Sequence, residues 1–380
     1  MRINACAKTG VIVLCVFLAG CVTAGPPPTN DALAQRAKLA ATRAIETYDE
    51  TGPGAAYVVS KDGEILVSGG VGFADMEWGL TNTDDTVFRL GSISKTFTAI
   101  AVLQLVEKGL IDLDQKIAAY APDLPAQMGA VTMRQLMSHR SGLPEHVWNP
   151  DILPFVWQPV TTQQMIDLQK DIPIDFDPGE HYDYVNFNYV IVAHVIEQVT
   201  GKTYVDFINE VFAAQAMSNS HYDWHDTIIP GRAEFYDKRD GVILNSQEVD
   251  LTHVSAAGAL MSSAKDMAHW AQLLSEGELI SEAMLKKAWT PAPLPDGTAT
   301  KYGLGFNVGE LAGERLVWHN GLTPGSQSAF SIAPDQGLFV AVLSNGFYLP
   351  SSQNLIDEMM TIMLTGALPE QPDEAPIAQP

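Results

Sequence analysis

An α+β fold, with an antiparallel sheet assembled from the two ends of the chain, is predicted by three observations. Residues 54–75 and the segments beyond about 300 carry short apolar runs separated by turn residues, the pattern of strands. From about 92 to 285 the apolar positions instead recur at helical spacing, broken by loops that bear proline and glycine. No internal repeat divides the 380 residues. Strands at both ends with helices between them therefore read as an α/β sandwich. Its sheet is flanked by helices and interrupted by a large, mostly helical inserted subdomain, about residues 100–285. A cleft between sheet and insertion is the natural place for a site.

The first twenty residues stand apart from this domain. Arg2 and Lys8 open a segment whose apolar stretch "VIVLCVFLAG" is too short to span a bilayer as a finished helix. Its end, Leu18-Ala19-Gly20-Cys21, resembles a bacterial lipoprotein processing box. The resemblance implies cleavage before Cys21 and lipid on its thiol, with an ordinary signal peptide and a chance cysteine as the alternative. The expectation is a lipid-anchored protein of the bacterial cell envelope, facing the periplasm. Cys6, Cys15 and Cys21 are the chain's three cysteines. The remainder accordingly has no disulfide, no thiolate metal site and no cysteine nucleophile. Residues 21–30 read as an extended tether.

The folded domain is expected over residues 31–367. Leu33, Ala37, Ala40, Ala44, Ile45 and Tyr48 recur at roughly helical spacing and predict a first packed helix. Two apolar runs around Lys61-Asp62-Gly63 predict a hairpin. In the insertion, "NYVIVAHVIEQVTG" and "AKDMAHWAQLLSEG" each run into glycine, a helix stop. Strands return as "YGLGFNVGE", "ERLVWHNG", "SQSAFSIAP" and "GLFVAVLSN", followed by a helix over roughly 353–365. The proline-rich, acidic residues 368–380 are expected to be disordered. A formal charge of −23 excludes the cationic footprint that nucleic acid requires, so no nucleic-acid partner is expected.

Two serine–lysine pairs stand three residues apart, Ser92–Lys95 and Ser262–Lys265. On a helix such residues project about 60° apart, one turn along, and are neighbours. A serine hydroxyl needs a base to act as a nucleophile, and lysine serves only when burial or nearby charge leaves it neutral. The plainer reading of either serine is a helix cap, and spacing alone favours it. For Ser262–Lys265 that reading is supported by Ser263 and Asp266, a Ser-x-x-Asp capping pattern.

Two motifs downstream set Ser92 apart: Tyr184-Val185-Asn186 after a Pro-Gly turn, and His319-Asn320-Gly321 at the end of a predicted strand. Ser-x-x-Lys, Tyr-x-Asn and His-x-Gly, in that order, resemble the serine β-lactamase and penicillin-binding protein superfamily. The flanks "LGSISKTFTAIAVLQLVEKGLIDLDQKI", "LMSHRSGLP", "DPGEHYDYVN" and "GLTPGSQS" share the likeness. It is nearest to the branch of class C β-lactamases, D-alanyl-D-alanine peptidases, D-aminopeptidases and related esterases. The resemblance implies a β-lactamase/transpeptidase-like fold and acyl transfer through a covalent intermediate. It implies that Ser92 is the nucleophile and that Lys95, alone or with Tyr184, takes its proton. Tyr184 would pass a proton to the leaving group, drawn toward phenolate by Lys95. Asn186 would bond Lys95 or the substrate, and the backbone N–H groups of Ser92 and Leu322 would form the oxyanion hole.

The departures from the family pattern lie in His319 and Asn320, where β-lactamases of this branch usually carry Lys-Thr-Gly or Lys-Ser-Gly. Histidine is only partly cationic near neutrality, and asparagine offers an amide in place of a hydroxyl. The expectation is a serine hydrolase acting on D-alanyl cell-wall peptides or small esters. The alternatives are a class C-like β-lactamase and a non-turnover penicillin- or peptidoglycan-binding or sensing lipoprotein. No cofactor is expected. His221 and His225, with Asp223 and Asp226, have a spacing compatible with a metal, but an exposed loop is the preferred reading and no metal site is expected.

Overall fold

Six antiparallel strands join the two ends of the chain in one sheet. These are β1 (Ala55–Lys61), β2 (Glu64–Val71), β3 (Asn307–Leu311), β4 (Glu314–Thr323), β5 (Ser326–Ala333) and β6 (Leu338–Ser344). They lie in the order β3-β4-β5-β6-β1-β2. The computed structural model describes residues 28–147, 156–224 and 226–368. The leader with Cys21, most of the tether, and the tail from 369 lie outside the described residues. The two ends meet where β1 pairs with β6, from Ala55 opposite Ser344 to Lys61 opposite Leu338. The β1–β2 hairpin turns at Asp62 and Gly63, both at positive φ (49° and 83°), as a two-residue turn compatible with strand twist requires.

Both faces of the sheet are buried, and the alternation of side chains divides the core in two. From β1, Tyr57 and Val59 enter one cluster, and Ala56 and Val58 enter the other. The first cluster is covered by helix α1 (Asn30–Thr47) and by the last helix of the domain (Ser352–Thr365). These contribute Ala37, Ala40 and Ala44, and Met359, Met360 and Met363, respectively. The second cluster holds Phe330, Phe339 and Leu343 from the sheet, with helices of the insertion against them. Helix α2 (Ser94–Glu107) is nearly encased there. Its hydroxyls are satisfied internally: Ser94 Oγ accepts from the Leu260 N–H at 3.0 Å, and Thr98 Oγ1 reaches the Ala256 carbonyl at 3.0 Å. Helix α3 (Phe187–Thr200) ends at Gly201 in the left-handed region, as its sequence predicts.

The insertion departs from the expectation in containing short strands as well as helices. Leu260–Ser262 and His221–Tyr222 form a small sheet with Phe88–Arg89, which precedes the insertion, and Tyr236–Arg239 pairs with Val242–Asn245. Their runs are too short or too polar to show an alternating pattern. A second difference concerns β4, which continues through His319-Asn320-Gly321 to Thr323 before turning.

The rival serine–lysine pair is structural. Ser263 caps the helix Ala264–Ser275, accepting from the Asp266 N–H at 3.2 Å. Lys265 lies on the surface beside Asp84 and Asp85. Ser262 is buried against the Ser220 hydroxyl at 2.8 Å.

Candidate active site

Ser92 lies in a tight turn, Gly91–Ile93, just ahead of α2, and makes no capping bond. The turn is pressed against β4 backbone to backbone. A methyl group on Gly321 would fall 1.9 Å from the Leu90 carbonyl oxygen and 2.8 Å from the Ser92 nitrogen. One on Gly91, at φ +52°, would fall 2.7 Å from the Leu322 nitrogen. Only glycine at both positions lets the amides of Ser92 and Leu322 approach the same space. Leu322 is 53% exposed, and it is its backbone that meets the serine turn.

Lys95 has no exposed surface. Its Nζ stands 3.1 Å from Ser92 Oγ, 2.8 Å from Asn186 Oδ1 and 2.9 Å from the Ala257 carbonyl oxygen. Burial lowers its pKa from 10.5 to about 7, against the opposing pull of the Glu145 carboxylate. Asn186 stands at the head of α3, where its side chain caps nothing in the helix and is left for Lys95.

Tyr184 is brought to the same place, with its ring beneath Lys95 at 4.9 Å from Nζ to centroid and on the His139 ring at 4.2 Å. Burial raises its hydroxyl well above the usual tyrosine value, and the Ser92 hydroxyl only partly opposes this. The expectation that Lys95 draws Tyr184 toward phenolate is therefore corrected. Lys95 Nζ lies over the ring, and burial keeps the hydroxyl protonated in the resting site.

His319 is buried, and its tautomer is fixed by its neighbours. Nδ1 lies 2.6 Å from the Asn320 carbonyl oxygen, which only accepts, so Nδ1 carries the hydrogen and Nε2 accepts from the Tyr302 hydroxyl at 2.9 Å. Burial first, and then the charge of Lys95, pushes its pKa down to about 3. The partial cation expected of a histidine is thus a neutral ring. A pocket of about 280 Å³ opens over Ser92, bounded by Tyr184, Trp318, His319, Asn320, Gly321, Leu322 and Asn307. None of these side chains is cationic.

The structure thus gathers Ser92, Lys95, Tyr184, Asn186, His319, Asn320, Gly321 and Leu322 in one cleft. It adds Glu145, Tyr302, His139 and the Ala257 carbonyl, which sequence reasoning missed. Glu145 stands in the loop directly after the quoted "SGLP", and Tyr302 stands in a segment read only as a strand. Of the His221/His225 cluster, His225 lies outside the described residues and Asp223 is held by Arg89 at 2.7 Å. Among the described residues no group of three ligating side chains is placed to hold a metal.

Residues 41–360 match the sequence model of the Beta-lactamase family. A penicillin-binding protein of Bacillus subtilis is 26% identical over 310 residues, which cover 76% of this chain and 67% of that protein. A D-aminopeptidase of Brucella anthropi is 31% identical over 282 residues, 72% of this chain and 52% of that protein. The chain therefore spans about half the length of that relative. Among solved structures, the octameric penicillin-binding protein homologue from Pyrococcus abyssi matches with a TM-score of 0.75 at 25% identity. The match covers 89% of this chain and 78% of that one.

The glycine contact yields a direct test. Gly321→Ala should slow phosphonylation of Ser92 by a fluorophosphonate roughly 100-fold or more, the usual loss when an oxyanion donor is displaced. Labelling rate is read by intact mass, with the melting temperature measured alongside. An unchanged rate would show that the Gly321 backbone does not shape the site.

Proposed function

Since this chain belongs to the Beta-lactamase family of hydrolases, we propose that it cleaves an amide or ester bond through an acyl-enzyme on Ser92. The observation that carries the reading is the contact of Lys95 with Ser92 at 3.1 Å, in a lysine lowered to about 7. Near neutrality a large share of Lys95 is then the free amine. Its other two partners, Asn186 Oδ1 and the Ala257 carbonyl, only accept hydrogen bonds. The two amine hydrogens go to them, and the electron pair is left toward the Ser92 hydroxyl.

The reaction follows from that arrangement. Ser92 Oγ attacks the carbonyl carbon as its proton passes to Lys95, and the oxyanion takes the backbone hydrogens of Ser92 and Leu322. The leaving group departs with the Tyr184 hydroxyl proton, which the Lys95 ammonium replaces. Water then attacks the ester on Ser92, gives its proton to Lys95, and Ser92 leaves with that proton. Tyr184 suits the donor role because burial keeps it a phenol.

The far wall speaks to the substrate class. A free carboxylate beside the cleaved bond meets neutral His319 and Asn320 and no cationic side chain. This favours amides and esters with an uncharged leaving end, amides of D-amino acids among them, over β-lactams and over the expected D-alanyl cell-wall peptides where these are cleaved next to a C-terminal carboxylate. The D-aminopeptidase relative supports amide chemistry. We place the chain in the bacterial envelope, facing the periplasm through lipid on Cys21, on the strength of its leader sequence alone.

Three outcomes check these readings. Wild-type protein should acquire a fluorophosphonate on Ser92 and turn over a short-chain nitrophenyl ester and a D-amino-acid amide. A penicillin should react slowly or leave a persistent adduct, and Ser92→Ala should lose every one of these activities. Turnover persisting in Ser92→Ala would sink the acyl-enzyme, and penicillin cleared within seconds would restore the β-lactamase reading. In the pH profile, kcat/KM should fall about tenfold per unit below pH 7, because protonation fills the electron pair of Lys95. A profile flat to pH 5 would exclude Lys95 as the base. Finally, Cys21→Ala should move the full chain from the membrane to the soluble fraction of expressing bacteria; retention on the membrane would refute the lipid anchor.

A further inference from the structure

We propose that Glu145 is a positioning residue for acyl transfer: through Asn186 it aims the free electron pair of Lys95 at Ser92. The inference rests on the reading of Ser92 as the nucleophile. Glu145 Oε2 accepts from the Asn186 backbone N–H at 2.7 Å and from Asn186 Nδ2 at 3.0 Å. An ionised carboxylate has no hydrogen to give, so the Asn186 amide must turn its NH₂ to Glu145 and its Oδ1 to Lys95. Reversed, the amide would donate to the electron pair of Lys95, and the Ser92 hydroxyl would meet an N–H where the base should be.

The surroundings keep Glu145 ionised. Its other oxygen accepts from the His146 and Val147 backbone N–H groups at 2.7 and 3.1 Å, and His146 Nδ1 lies 3.1 Å away. Burial alone would raise the carboxyl, but these donors and the neighbouring His146 outweigh it and hold the pKa at about 2. The buried His146 ring reaches onward, with Nε2 2.8 Å from the His253 carbonyl oxygen. His253 stands four residues before Ala257, the other obligatory acceptor for Lys95.

The other titratable groups facing Lys95 are Tyr184 and Tyr189, presenting ring faces at 4.9 and 5.6 Å, and the buried His139 and His319. Burial raises both hydroxyls and lowers both imidazoles, so all four are neutral near pH 7. Among the described residues, Glu145 is the ionised group whose field reaches Lys95, and it favours the ammonium.

Glu145→Gln tests this, because it keeps the shape, removes the charge, and leaves the Asn186 orientation unspecified. Lysine-labelled protein, with the Lys95 signal assigned from Lys95→Arg, gives the Lys95 titration midpoint by NMR without reference to activity. In Glu145→Gln the midpoint should fall by about one unit or more. The acid limb of kcat/KM should move down with it while kcat on the plateau drops roughly tenfold and KM changes little. Glu145→Asp, which keeps the charge, should return the midpoint toward wild type. A Glu145→Gln midpoint and kcat equal to wild type overturn the proposal. So does a kcat loss matched only by a lower melting temperature with the midpoint unmoved, since that is a purely structural role. Should Ser92→Ala remain active, the acyl-enzyme reading fails separately, and the NMR midpoint still reports whether Glu145 governs Lys95.

Discussion

Burying Lys95 constrains everything around it, because an ammonium stripped of water must find an acceptor for each hydrogen or give up its proton. Its acceptors come from three separate stretches: the turn before α2, the head of α3, and the loop that ends at Ala257. Each unmatched partner would cost about 1–3 kcal/mol, so these stretches must dock together before the site exists. The docking is independently secured. Ser94 and Thr98, on the buried length of α2, bond the same loop at Leu260 and Ala256. The helix that carries the lysine is therefore fastened to the loop that accepts one of its hydrogens.

The second wall of the cleft depends on a different physics, the close approach of two backbones. Gly91 and Gly321 remove the side chains that would hold β4 away from the serine turn. Hydroxyls of Ser326 and Ser328 on β5 both donate to the Arg89 carbonyl, at 3.1 and 2.9 Å, and tie the strand leading into that turn to the sheet. The sheet in turn is clamped by a core on each face. The turn before α2 and the adjoining β4 thus bring the amides of Ser92 and Leu322 together, while α2 carries Lys95 and the insertion carries Tyr184 and Asn186. Neither half holds the chemistry alone.

This division explains what was legible in the sequence. The β1–β2 hairpin announces itself locally through Asp62-Gly63, whereas Ser92, Lys95, Tyr184 and Asn186 are marked by the order of motifs far apart in the chain and the family resemblance that order carries. Glu145 has no such signal: it acts through the amide of a residue 41 positions away, in a loop without periodicity. Tyr302 meets His319 across 17 residues and fixes a tautomer that no local pattern encodes. The phenolate expected at Tyr184 failed for a related reason. Sequence places Lys95 beside the tyrosine, but it does not reveal that Nζ lies over the ring and that burial raises the hydroxyl.

Electrostatics acts on substrate choice at two ranges, and the two agree. The formal charge of −23 surrounds the protein with a potential that disfavours anions on approach. At physiological ionic strength that potential decays over about 8 Å, so it affects encounter more than binding. Inside the cleft the decision passes to His319 and Asn320. A lysine there would supply a fixed cation able to offset the desolvation of a substrate carboxylate, whereas the neutral imidazole, already committed to Tyr302 and the Asn320 carbonyl, cannot. The carboxylate would shed its water and find no cationic side chain in exchange. An uncharged amide or ester pays no such penalty, and this is the ground on which that class is proposed as the substrate.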